Sequence, residues 1–504
     1  MQNKSDMLVK LSGLLILLLG SVIALGFRYR INANTLLSIF RQQPLCKNCN
    51  VILVSIDTLS ANHLPCYGYG RNTSPNLCAF AERNVLFRNT YSNAVWTLPG
   101  HASIFTGLYP SRHGVINYPD NLSRKISALP ETLQSAGYET IFVMPNNDRA
   151  LPIDKVYNRG IDKLYNSRGT PESPWLPALR DLEANIASRK KTFLFLHSYR
   201  VHAPYLIEDE PKLYTTDFVP DLPLKKSQLD ESSASYYEYL VKKLTEKISN
   251  REDPNFEKDY RAVISLIKKY KADPEQLKKA LQSYNFEWDY GFEFNYLSRL
   301  DINNPRHIEY IKALYDQTIN ILDASQIAEL LTFFDKKEIR DSTVLIITAD
   351  HGEEFMEHGS ITHETIYDSN LSIPLILYIP GLKTPKEVTT PVQSVDIAPT
   401  ILDILGIPPL PEYQGESLIP LTLGKSFDER LLVSDGYKNE TRALRKNNWK
   451  LLLFRQTDGS YLPYELYDTN TDPNERINIL FSHSDVAQRM LTEYRLTLSQ
   501  EIAK

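Results

Sequence analysis

Five stretches of the chain are apolar without interruption rather than alternating. The first is Asn50-Val-Ile-Leu-Val-Ser-Ile-Asp57, and Glu139–Met144, Thr192–His197, Thr343–Thr348 and Ile373–Tyr378 repeat the pattern. Short continuous runs of this kind predict strands buried on both faces, as in a parallel sheet. Between some of them the period becomes helical, at Leu129–Ala136 and Ile308–Phe334. Strands alternating with helices predict an α/β fold with a mostly parallel central sheet. Ligands of such sheets bind beyond the carboxyl ends of the strands. Asp57, His197 and Asp350 stand at or just past those ends.

The pattern changes in three places. Leu8–Phe27 carries one charge, Lys10, and is flanked by Lys4, Arg28 and Arg30. Its ~20 apolar residues are enough to span a bilayer. Ala24 and Gly26 make a poor small-x-small cleavage site, so residues 1–30 are expected to be an uncleaved signal-anchor rather than a cleaved leader. Residues 31–49 follow as a stalk. Residues 206–300, rich in Lys, Glu and Tyr, predict a helical insertion with solvated faces. From about 381 to 504 the chain predicts a small α+β subdomain. It has an amphipathic helix over Ser394–Gly406, closed by its glycine, and short strands near Leu431–Ser434 and Trp449–Phe454. The catalytic part is expected over 50–380.

Composition narrows the class. Apolar residues make up 42% and charged residues 23% of 504, a globular balance. A net charge of −5 gives no electrostatic case for nucleic acid. Cys46, Cys49, Cys66 and Cys78 are four in number, which in an exported chain allows two disulfides in three pairings. Cys46-Lys-Asn-Cys49 is alternatively half of a zinc site, although Cys66 and Cys78 lack the matching spacing.

Candidate chemistry gathers at the predicted strand ends. In Trp96-Thr-Leu-Pro-Gly-His101 the proline favours a first helical turn, with Thr97 at or just before the N-terminus. Free N–H groups and the helix dipole make such a place receptive to an anion. The ordinary alternative is that Thr97 is a helix cap. Asp57 supplies one carboxylate, and Asp350-His351 supplies a carboxylate beside an imidazole. This oxygen and nitrogen set suits one divalent ion, Ca2+, Mg2+, Mn2+ or Zn2+. A metal beside Thr97 would lower the hydroxyl's pKa and neutralise charge on an incoming ester. Six of the ten histidines (101, 197, 202, 351, 358 and 363) fall in these segments. Imidazoles converging on one point can bind an anionic ester and protonate its leaving group.

The motifs occur in a telling order. Val-Ser-Ile-Asp-Thr-Leu is followed by Thr-Ser-Pro-Asn-Leu (73–77), Pro-Gly-His-Ala-Ser-Ile-Phe-Thr-Gly (99–107) and Tyr-Pro-Ser-Arg-His-Gly (109–114). Then come His-Ala-Pro-Tyr (202–205), Thr-Ala-Asp-His-Gly-Glu (348–353), Asp-Ile-Ala-Pro-Thr (396–400) and Glu-Leu-Tyr-Asp…Asp-Pro-Asn-Glu (465–475). From residue 50 to about 480, apart from the insertion, the chain resembles the sulfatase family of the alkaline-phosphatase-like superfamily. The resemblance implies an alkaline-phosphatase-like sandwich and one metal, usually Ca2+. Asp57, Asp350 and His351 match its metal-ligand positions. His202 matches a histidine that contacts the ester or leaving group, and His363 stands where many sulfatases have a sulfate-contacting Lys.

The chain also departs from the family. Sulfatases proper carry a Cys or Ser that is oxidised to formylglycine, the nucleophile. Thr97 stands there instead and cannot make that aldehyde, His101 replaces the motif's Arg, and Thr58 replaces a second Asp. The family's Lys-x-x-His is replaced by Met144-Pro-Asn-Asn-Asp148. Thr as nucleophile resembles the phosphodiesterases, lipoteichoic acid synthases and phosphoethanolamine transferases of the superfamily. A second metal site is not evident, because Asn320 stands four residues after Asp316.

The expected protein is thus a membrane-anchored, extracytoplasmic hydrolase of sulfate or phosphate esters. Thr97 is the nucleophile and a metal ligand with Asp57, Asp350 and His351. His101, His202 and His363 are catalytic, and His202, His358 and His363 contact the anionic substrate. A phosphoryl-group transferase acting on lipid or glycan, and an inactive binding protein, are the alternatives. The sequence says nothing of oligomeric state.

Overall fold

The computed structural model describes residues 44–117, 120–144, 159–167, 174–203, 205, 303–382 and 386–502, with residues 214, 265, 266, 268 and 269. The anchor, residues 31–43 of the stalk, the Met144-Pro-Asn-Asn-Asp148 loop beyond Met144 and almost all of the 206–300 insertion lie outside them. Among the described residues no helix is long and apolar enough to cross a membrane.

The apolar runs become the strands β1 (Asn50–Ile56), β3 (Tyr138–Met144), β5 (Lys191–Ser198), β6 (Thr343–Ala349) and β7 (Leu375–Tyr378). Three shorter strands extend the sheet: β2 (Val85–Phe87), β4 (Lys163–Asn166) and β8 (Lys386–Val388). The order is β8-β2-β7-β6-β1-β5-β3-β4. Among these strands only β7 runs antiparallel to its neighbours. Its apolar run looks like those of the parallel strands. Antiparallel pairing follows because the chain between β6 and β7 holds only short elements at one end of the sheet. A parallel return would need a crossover, usually a helix.

Side chains alternate between two packed faces. Ile52, Val54 and Ile56 share one core with α1 (Pro75–Ala81), α4 (Leu176–Ala187), α5 (Pro305–Leu322) and α6 (Ala328–Phe334). Val51 and Leu53 share the other with α2 (Thr97–Thr106), α3 (Leu129–Ser135) and α7 (Ile397–Leu405). Each such fully buried aliphatic contributes roughly 1.5–3 kcal/mol. The strands read as continuously apolar because neither face meets water. The helix expected over Ile308–Phe334 is interrupted by a π-helical turn at Asp323–Ile327. There the Asp323 carboxylate accepts the N–H groups of Asn76 and Leu77 at the start of α1.

The last part of the chain builds an antiparallel sheet: β9 (Leu432–Asp435), β10 (Thr441–Lys446), β11 (Trp449–Arg455) and β12 (Tyr461–Asp468). One face carries α8 (Ser484–Ile502) through Val486, Met490 and Leu491. The other places Ala443, Leu452 and Tyr467 against Val95, Ile366 and Leu371. This second sheet therefore presses on the segments leading to Thr97 and from His351. The cysteines pair as Cys46–Cys49 and Cys66–Cys78, as disulfides rather than a zinc half-site.

Candidate active site

Three neighbouring strand ends bring the chemistry together. Strands β6, β1 and β5 are adjacent and parallel, and Ile56 pairs with both Ala349 and Ser198. Asp57 and Asp350 therefore leave the sheet side by side. Asp57, Asp350 and His351 are fully buried, with donor atoms all within 4.8 Å of one another. His351 donates Nδ1–H to the Gly352 carbonyl at 3.0 Å, which makes Nε2 the lone-pair nitrogen. That Nε2 lies 3.4 Å from Asp57 Oδ1 and 3.5 Å from Asp350 Oδ2.

The electrostatics ask for a cation. Burial and the Asp57 charge push the Asp350 carboxyl up to about 6. Burial, with the neighbouring His363 ring, holds His351 well below the usual imidazole range. Asp350 Oδ2 has no hydrogen-bond partner among the described residues. Two buried carboxylates and a neutral imidazole turned toward one point repel one another unless a positive charge joins them. The donor types fit a divalent ion.

Thr97 is placed against this group. It is the first residue of α2, with Trp96 in the capping position, and its Oγ1 lies 3.4 Å from His351 Nε2. The approach depends on Gly100, because a Cβ there would come within 3.0 Å of the Asp350 carbonyl. Gly352 permits the return of the chain, since its Cβ would lie 2.3 Å from the Ser369 carbonyl.

The other predicted histidines separate. His363 lies tilted against His351, with ring centroids 4.5 Å apart, and His202 lies 5.4 Å from His363. Both are only partly buried. Burial pulls His363 down, but the charge and hydrogen bond of Glu353 (3.1 Å) lift it above the usual value. His101 is enclosed. It donates Nδ1–H to the Thr97 carbonyl at 3.0 Å and meets the Ser55 hydroxyl at 2.9 Å through Nε2. Burial lowers it to about 4 despite the Asp350 charge. His358 belongs to another neighbourhood, stacked on Tyr367 at 3.6 Å.

Two residues to which the sequence assigned no role also enter the site. His197, on β5, donates Nδ1–H to the Ser55 carbonyl (3.1 Å) and turns Nε2 to within 3.7 Å of Asp57 Oδ2. Its place at a strand end was the available signal. Glu353 is buried, holds His363, and accepts the Tyr205 hydroxyl at 2.7 Å. In Asp-His-Gly-Glu-Glu no pattern tells which of the two buried glutamates turns toward His363. Glu354 instead accepts the His358 N–H at 2.7 Å and fastens the following loop.

The sulfatase family profile matches residues 49–407. The chain belongs to the sulfatase family. A second profile, the C-terminal part of N-sulphoglucosamine sulphohydrolase, matches residues 356–502 of this family member. Arylsulfatase K of Gallus gallus is 29% identical over 197 residues, 37% of this chain and 36% of that protein. The match thus spans about a third of that relative's length. Choline-sulfatase of Rhizobium meliloti is 24% identical over 472 residues, covering 88% of this chain and 85% of the relative. Among solved structures, BT4656 in complex with its substrate D-glucosamine-2-N,6-O-disulfate superposes with a TM-score of 0.62 at 19% identity, covering 90% of this chain and 98% of that one. A phosphonate monoester hydrolase of Agrobacterium radiobacter gives 0.61 at 19%, covering 90% and 96%. These two likenesses establish the shared fold.

Proposed function

We propose that this sulfatase-family protein hydrolyses sulfate or phosphate esters, with Thr97 as nucleophile. The observation that carries the reading is the Thr97 hydroxyl, 3.4 Å from the ring nitrogen that faces both buried carboxylates. Asp57, Asp350, His351 and Thr97 would hold one divalent metal, Ca2+ by family resemblance, with the imidazole equally suited to Mn2+ or Zn2+. When bound, it supplies charge neutralisation and favours the alkoxide form of a hydroxyl.

Thr97 Oγ1 attacks sulfur or phosphorus. A bond to Oγ1 forms as the bond to the alcohol oxygen breaks, and the threonine proton passes to solvent water. His363, kept basic by Glu353, contacts the anionic group. His202 gives a proton to the departing oxygen. Water then cleaves the threonine ester. His101 acts on the helix that carries Thr97, through the Thr97 carbonyl, rather than on the ester. His358 is set aside as a substrate contact, because its ring is engaged by Tyr367.

Residues 50–380 form the catalytic part of this reading and 381–504 its companion. Leu8–Phe27 anchors it to a membrane with the site outside the cytoplasm, where two disulfides persist.

The test is metal analysis of the purified protein with a panel of sulfate monoesters, phosphate monoesters and phosphate diesters. Thr97→Ala is expected to abolish whatever hydrolysis the wild type shows. Unchanged turnover would sink the nucleophile assignment. Passage of label from a lipid donor to an alcohol acceptor would make the enzyme a transferase instead.

A further inference from the structure

Asp57 is followed by an unusual turn. Thr58 is fully buried and has φ +56°, the left-handed region. A β-branched residue there is a true outlier, at a cost of about 1–3 kcal/mol. Such a conformation persists only where surrounding groups impose it. On the sheet side the Asp57 N–H donates to the Ser198 carbonyl at 2.9 Å. On the other side stands Tyr315, from the middle of α5 and fully buried. Its hydroxyl donates to the Thr58 carbonyl at 2.6 Å and accepts the Ser60 N–H at 3.0 Å. One phenol thus closes the turn across both of its arms.

The phenol is itself held. Its ring meets Phe355 at 5.0 Å, Tyr205 at 5.4 Å and His63 at 4.9 Å between centroids. The next residue, Asp316, grips the same loop further along. It accepts the Tyr69 hydroxyl and Arg71 Nη1, and pairs with His63 Nδ1, each at 2.7 Å. Adjacent residues of α5 therefore fix the path of the chain from Thr58 to Arg71.

We propose that Tyr315 is a positioning residue for Asp57: by clamping the left-handed turn at Thr58 it sets the direction in which the Asp57 carboxylate meets its metal. The inference rests on the metal reading of Asp57, Asp350 and His351. It differs from simple packing in what it predicts. Tyr315→Phe keeps the ring and its contacts and removes only the hydroxyl.

The experiment is calorimetric titration of the metal-free full chain with Mn2+, alongside thermal melts without metal. Partners of metal ligands typically change affinity 10–100-fold, so Tyr315→Phe is expected to weaken Mn2+ binding about tenfold. Tyr310→Phe, a hydroxyl lost from the same helix, is expected to leave the affinity unchanged. A second arm uses Thr58→Asn, because Asn adopts the left-handed region more readily. In that background Tyr315→Phe is expected to lose less. A lowered melting temperature with unchanged Mn2+ affinity would reduce Tyr315 to a packing residue and overturn the proposal. So would equal weakening by Tyr310→Phe, or an undiminished loss in the Thr58→Asn background. If the wild type binds no Mn2+, Ca2+ or Zn2+, the metal reading itself fails, and that result is visible before any variant is made.

Discussion

Two groups of acids, one buried and one half-buried around Asp368, lie at the two ends of the segment from Asp350 to Leu371, and they are built in opposite ways. At one end Asp57 and Asp350 face imidazoles: His351 and His197 around Asp57, His101 and His351 around Asp350. At the other, Asp368 is bound by Arg445 and by Lys450 at 2.7 Å, and Lys450 also meets Glu475 at 2.5 Å. Burial would raise Asp368, but the two cations hold its carboxyl below the usual range. Asp350 goes the other way, up to about 6. The second cluster balances its own charge and is complete as folded. The first sets two buried carboxylates against imidazoles that burial keeps neutral, an arrangement that a cation would complete. Burial of charge alone therefore does not mark function. What distinguishes the first cluster is that imidazoles, His351 among them held neutral by burial, stand where the second has Lys450 and Arg445.

The comparison is broken most sharply at its two acids. Asp350→Asn should lower turnover about 10³-fold or more, ~4 kcal/mol of barrier at about 1.36 per tenfold. The metal-free protein should melt no earlier than the wild type, because a repulsion between buried carboxylates is removed. Steady-state assays and melts of the stripped protein check both halves. A large loss of stability would mean that Asp350 serves the fold. Asp368→Asn should do the reverse. It leaves Arg445 and Lys450 buried beside a neutral amide, a loss of about 3 kcal/mol in denaturant unfolding, while turnover by the surviving folded fraction changes much less. Equal stability costs for the two substitutions would erase the distinction.

Much of the first cluster was legible because its members sit at strand ends, and continuous apolar runs announce those ends. Asp57, Asp350 and His351 needed only the strands to be placed in register. Thr97 needed the Pro99 and Gly100 turn that opens α2. Other parts left no such trace. Glu353 and Glu354 are chemically identical neighbours, and only the fold turns one toward His363 and the other toward a loop. His358 looked like its companions until the stacking partner Tyr367 drew it away. His101 follows Thr97 by one helical turn, a spacing that brings its Nδ1 to the Thr97 carbonyl as readily as to an ester. Tyr315 is a tyrosine among many in a helical pattern. Its role depends on a backbone angle at residue 58, more than two hundred positions away, which no periodicity encodes. The antiparallel sense of β7 was hidden for a similar reason: burial on both faces makes an apolar run, whichever way the strand points.

Metal removal tests the open cluster as a whole. A ligand that binds only the folded state at a hundred times its Kd adds about 2.7 kcal/mol. Adding Mn2+ or Ca2+ to chelator-treated protein at that ratio should raise stability by about this amount. In Asp350→Asn the gain should largely vanish, whereas in Asp368→Asn it should remain in full. Persistence of the gain in Asp350→Asn would move the cation elsewhere.

The smallest expected effect is also the most local. Gly100 lets the first turn of α2 lie against the carbonyl of Asp350, and an added Cβ would sit 3.0 Å from that oxygen. Alanine is the better helix former by roughly 0.8–1.0 kcal/mol, so in an open helix Gly100→Ala would stabilise. Here the neighbour is backbone, and it must give by a few tenths of an ångström. The two effects nearly cancel in stability, with an expected net change of about 1 kcal/mol or less. The displacement falls between Thr97 and Asp350, so turnover should fall about tenfold, with the affinity for Mn2+ reduced less than that. The same substitution would thus separate the two roles of this contact. Reduced turnover with retained metal would mean that Gly100 sets the nucleophile's approach. Loss of metal in proportion to turnover would mean that it sets the position of Asp350.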